Sequence, residues 1–130
     1  MENIHVPVSP GEVLDKITIL EIKSERMSDA KKVANVRVEL ELLQETWASS
    51  VEEDSVIVDL HAQLKEINEA LWEIEDDIRD KERAKEFDER FIELARSVYF
   101  TNDRRSQVKK DLNLHLGSEI IEEKSYQDYN

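Results

Sequence analysis

Five positive charges and one negative fall between positions 96 and 110 of a chain whose formal net charge is -13: Arg96, Arg104, Arg105, Lys109 and Lys110 against Asp103. Arginine presents a planar fork of donors that matches carboxylate and phosphate, so such a cluster suits a polar pocket for a small anion. Arg96, Tyr99 and Asp103 stand three and four apart, which on a helix puts them on one face, with Asn102 and Arg104 beside them. The plainer reading is charge complementarity with an acidic helix elsewhere in the chain.

An acidic helix is at hand. Between Glu52 and Glu82 there are twelve Asp or Glu residues against three Lys or Arg. Glu69, Glu73, Asp76, Asp77 and Asp80 resemble the carboxylate sets that hold magnesium for nucleotide chemistry. Their stripe, however, is turned about 200° around the helix from the apolar seam, so it points to water. Glu75 lies nearer the seam and is expected to pair with a buried cation. His5, His61 and His115 have no metal-ligand spacing, there is no cysteine, and neither a glycine-rich phosphate loop nor a Gly-x-Ser-x-Gly turn occurs. No catalytic residue, metal ligand or cofactor is assigned.

The elements that must position these residues are helices. Both prolines and both glycines lie at the edges of the chain (Pro7, Pro10, Gly11, Gly117), leaving 12–116 without a strong backbone breaker. Ser9-Pro10-Gly11-Glu12 reads as an N-cap, a first-turn proline and a capping-box acid, starting a helix over 10–27. Its uncapped N–H groups near Gly11 offer a second anion site, which Glu12 opposes. Val13, Leu14, Ile17 and Leu20 form one stripe and Ile19 and Ile22 another nearly opposite, so this helix is expected to be sandwiched. Asp29 caps a second helix with the stripe Val33, Val36, Leu40, Leu43 and Trp47, and 49–54 is a loop. The third carries the cleanest seam, Leu60, Leu64, Ile67, Leu71, Ile74 and Ile78, which requires a partner helix. A change of register predicts a turn over 81–86. The stripe then resumes at Phe87, Phe91, Leu94 and Val98, breaks between Tyr99 and Gln107, and continues at Val108, Leu112 and Leu116 before Gly117. Residues 1–9 form an extended lead-in packed on the body, and 118–130 a tail that docks through Ile120, Ile121, Tyr126 and Tyr129.

At 130 residues, 39% apolar and 38% charged, the chain has the balance of a single helical hairpin or bundle with coiled-coil-like seams. Its negative charge disfavours nucleic acid and anionic lipid. No run approaches the roughly 20 apolar residues of a membrane span, and Met1-Glu2-Asn3 lacks a basic leader, so no membrane insertion and a cytoplasmic location are expected.

Residues 6–23 (VPVSPGEVLDKITILEIK), 71–79 (LWEIEDDIR), 91–99 (FIELARSVY), 101–105 (TNDRR) and 117–126 (GSEIIEEKSY) resemble a family of small bacterial proteins known as a domain of unknown function. The resemblance spans almost the whole chain. Some members are encoded beside, or fused to, enzymes of surface-polysaccharide assembly, which implies an accessory role there and supplies no reaction. It adds weight to the polar residues of those motifs: Glu12, Asp15, Lys16, Thr18, Glu75, Asp76, Arg96, Tyr99, Asn102, Asp103, Arg104, Glu122, Glu123, Lys124 and Tyr126. The expectation is an all-α, self-associating, non-catalytic binding or scaffolding protein, a homodimer with a protein partner or small anionic ligand. Its arginine cluster forms a polar network with Asp15, Lys16 or the tail. The rival is a metal-dependent hydrolase or transferase acting on a nucleotide or sugar nucleotide through the carboxylates of the third helix.

Overall fold

The computed structural model describes residues 1–129, which contain four α-helices and no strand: α1 (Pro10–Arg26), α2 (Ala30–Ser50), α3 (Ser55–Ala84) and α4 (Glu89–His115). Every helix begins on a side-chain cap. Ser9 Oγ accepts from the Glu12 N–H, Asp29 from Lys31 and Lys32, Asp54 from Ile57, and Asp88 from Phe91. The capping box at α1 is only half made, because the Glu12 carboxylate turns to Lys109 instead of back to Ser9.

α1 is the centre of the fold. Its backbone approaches all three other helices, whereas that of α2 approaches only α1, and α3 and α4 pair along their length. The two apolar stripes of α1 thus both meet other helices of the chain, with Leu14, Ile17, Leu20 and Ile22 buried and Val13 and Ile19 half-buried. The lower part of the α3 seam faces the same core: Ile57, Leu60, Leu64 and Ile67 are buried with Trp47, Val108 and Leu112. Each such aliphatic side chain contributes about 1.5–3 kcal/mol by leaving water. Farther along, Leu71, Ile74 and Ile78 are half-buried.

The turn after α3 has no glycine. Lys85 takes the left-handed conformation at φ 56°, and Glu86 N–H returns to Lys81 O, closing the helix as glycine usually does. After α4, Gly117 does so in the usual way at φ 65°, with Ser118 N–H bonded to Asn113 O. The lead-in departs from expectation. Ile4, Val6 and Val8 are 77%, 67% and 49% exposed, so 1–8 is not packed into the core, and of the lead-in only Ser9 is buried. The tail docks, but chiefly through polar and ring contacts: Ile120, Tyr126 and Tyr129 stay exposed and only Ile121 is half-buried.

Candidate functional site

Asp15 is 3% exposed although it is a carboxylate, and its partners explain how it is accommodated. Arg105 meets it bidentately, Nε donating to Oδ1 at 3.0 Å and Nη2 to Oδ2 at 2.5 Å. Asn68 Nδ2 donates to the same Oδ1 at 2.9 Å and to Thr18 Oγ1 at 2.9 Å, while the Thr18 hydroxyl donates to the Asp15 carbonyl at 2.8 Å. α1, α3 and α4 are thereby joined through one buried acid. The bond to Asp15 raises the Arg105 pKa further above its ordinary value.

One turn along α4, Lys109 is nearly as buried and gathers three carboxylates: Glu12 at 2.5 Å, Glu122 at 3.3 Å and Asp15 at 3.9 Å. Glu122 belongs to the tail, and its other oxygen takes Lys124 at 2.9 Å. The hydrogen bond from Lys124 and the charge of Lys109 hold the Glu122 carboxyl down at about 2. Farther along, the Tyr129 hydroxyl donates to Asp103, which pushes that phenol up to about 12. Its ring lies 5.3 Å from Tyr99 and 5.0 Å from Phe100, and Arg96 sits over Phe100 at 5.7 Å. The tail therefore runs back along α4. Between them lies a cleft of about 660 Å³, lined by Tyr99, Asn102, Arg105, Lys109, Lys124 and Tyr126 among others.

Of the residues singled out from the sequence, Glu12, Asp15, Thr18, Asn102, Glu122 and Lys124 converge here. Asn102 Oδ1 accepts from Arg105 Nη1 at 3.3 Å. Tyr99, Asp103 and Arg96 gather instead around Tyr129 and Phe100, and Tyr126 lies under Lys124 at 5.6 Å. Lys16 faces the other way and pairs with Glu39 of α2 at 2.7 Å. Glu75 does not meet a buried cation; it is half-exposed and pairs with the exposed Arg79. Arg104 is exposed on α4, and Glu123 borders a smaller hollow of about 260 Å³ with Lys110. Among the described residues the cationic cluster makes no ion pair with the acids of α3: Arg105 and Lys109 pair with α1 and the tail. The N–H of Gly11 is also committed internally, donating to Asn113 Oδ1 at 2.7 Å, so no anion site opens there.

Arg105 and Lys109 read from the sequence as part of the cationic cluster, with no partner assigned to either, and Asn68 and Asn113 are not singled out at all. A signal for Arg105 was present: Phe91, Leu94, Val98, Thr101, Arg105, Val108 and Leu112 step by three and four without a break. The stripe is not interrupted but turns polar, and Thr101 is buried accordingly. Asn68 and Asn113 each sit next to a seam residue and give no signal of their own.

On α3, Glu69 and Glu73 contact Arg26 at 3.4 and 3.5 Å, and Asp80 pairs with Arg83. Among the described residues no three His, Asp or Glu side chains are disposed to hold a metal ion, and no helix is long and apolar enough to cross a membrane. No curated protein and no solved structure matches the chain. Residues 4–129 match the model of a family of unknown function (DUF6165), and the chain belongs to that family.

Proposed function

We propose that this protein is a non-catalytic, self-associating binding or scaffolding module, with the cleft between α4 and the tail as its ligand-facing surface. The observation that carries this reading is the commitment of Arg105 and Lys109 to carboxylates of α1 and the tail, which spends the charged groups on joining elements. Lys109 is reached by two carboxylates on α1 and one, Glu122, on an exposed tail. A small anion entering the cleft competes with Glu122 for Lys109 and Lys124. The accessory role in surface-polysaccharide assembly implied by the family resemblance and a cytoplasmic location complete the proposal.

The test is calorimetry with inorganic phosphate on the native chain and on Glu122→Gln. Removing the internal competitor is expected to tighten phosphate binding several-fold, and absence of binding by either protein would overturn the ligand reading. The enzyme reading, on a nucleotide or sugar nucleotide, has less support, since Glu69, Glu73 and Asp80 already pair with arginines. Magnesium binding in the presence of nucleotide, lost on Asp76→Asn with Glu73→Gln, would favour it instead.

A further inference from the structure

Helix α2 packs with one face only. Val33, Val36, Leu40, Leu43 and Trp47 turn towards α1, and nothing among the described helices approaches the opposite side. That side carries Val38 and Leu42, 62% and 45% exposed, one turn apart at the middle of the helix. The charges around them are ordered: Lys31 and Arg37 stand in the N-terminal half, Glu41 and Glu45 in the C-terminal half, all exposed. None of these four side-chain charges makes an ion pair among the described residues, whereas Glu39, turned towards α1, is paired with Lys16.

We infer that the outer face of α2 is a self-association surface on which a second copy of this chain lays its own α2 antiparallel. The inference rests on the self-associating part of the proposed function and assigns its location. The charge order selects the occupant and its direction. Turned end for end about an axis near residue 39, the helix sets Arg37 against the partner's Glu41 and brings Lys31 towards the partner's Glu45 and Val38 towards the partner's Leu42. A parallel pair would set each charge beside its own kind, which is destabilising. A helix of 21 residues spans about 30 Å, and two exposed aliphatic residues per copy make a small seam, so the association is weak and salt-sensitive. Two other faces could meet a symmetry mate, α1 and the α3 seam; α1 packs against all three other helices and the seam is buried from Ile57 to Ile67, leaving only its far end, Leu71 to Ile78, half-buried.

Sedimentation of the full chain from micromolar to millimolar concentration tests this. The native protein is expected to dimerise with concentration, less so at high salt. Arg37→Glu and Glu41→Arg each weaken the dimer at least tenfold while leaving helix content and melting temperature unchanged. Mixing the two variants restores a dimer, now of unlike chains, because every opposed pair is again unlike in charge; the double variant in one chain also dimerises. A native chain that stays monomeric throughout would overturn both this inference and the self-association it rests on. A dimer indifferent to the reversals, or variants that fail to recover on mixing, would overturn the α2 surface alone.

Discussion

Replacing Arg105 by Met isolates what the buried ion pair does for the fold. The side chain keeps much of its length while Asp15, only 3% exposed, loses both guanidinium bonds and retains Asn68 and a Lys109 ammonium 3.9 Å away. Removing one partner of a buried pair leaves an uncompensated charge, a loss of about 3–5 kcal/mol. Arg105 keeps 29% of its side-chain exposure, and Asp15 keeps two partners, so the lower end applies, about 3 kcal/mol. Against the 5–15 kcal/mol (about) typical of a domain, that lowers the melting temperature by roughly 10 °C. Urea unfolding followed by circular dichroism measures it directly. The companion is Asp15→Leu with Arg105→Met, in which the remaining charged groups around Lys109 stay paired. If desolvation is the cause, the double variant recovers most of the loss, and the double-mutant cycle yields a coupling well above that of surface pairs. A cost below about 1 kcal/mol for Arg105→Met, the range of exposed ion pairs, would refute the idea that this contact joins α1 to α4.

Gly11→Ala tests the closeness of the α1 start to α4: a Cβ there would meet Lys109 O at 2.8 Å and Asn113 Oδ1 at 2.9 Å, and overpacking against backbone is expected to cost about 1–3 kcal/mol in urea unfolding. His61 Nε2 lies 2.8 Å from Glu21, and that hydrogen bond, opposed by burial, raises the imidazole pKa above 6.5. A raised folded pKa gives stability present in full below the unfolded value and lost as pH rises through the folded one; the gap between native protein and His61→Gln should therefore shrink as pH rises above 6.5 in melting curves. In absorbance titration, one of the three tyrosines should ionise near 12, and Asp103→Asn should return it towards 10; three normal phenols in the native chain would remove the tail contact at Tyr129.

What the residues foretold and what they withheld divide along a physical line. Caps, stripes and the turn over 81–86 are local, and Ser9, Asp29 and the Leu60–Ile78 seam were legible because a helix advertises its own period. Even Lys85 bends the chain where the register shifts, though no glycine marks the place. Neighbours are not local. A cationic face on α4 says that something negative lies opposite, and acidic α3 was the obvious choice from composition, yet the geometry sets Arg105 and Lys109 against Asp15, Glu12 and Glu122. The pairing depends on α1 sitting between the two hairpin arms, a fact that no single helix encodes. The lead-in shows the same limit from the other side: Ile4, Val6 and Val8 look suited to packing, but a short apolar stretch has no periodicity to say what it meets, and all three stay exposed. Where the two kinds of information combine, the sequence says more than either alone. Read in phase with Leu94 and Leu112, Arg105 is an inward position occupied by a charge, and Asp15 beside Leu14 is another. Two opposite charges, each directed into the core of an all-helical chain, each need a partner there, and that need favours their bond without reference to any composition-wide balance.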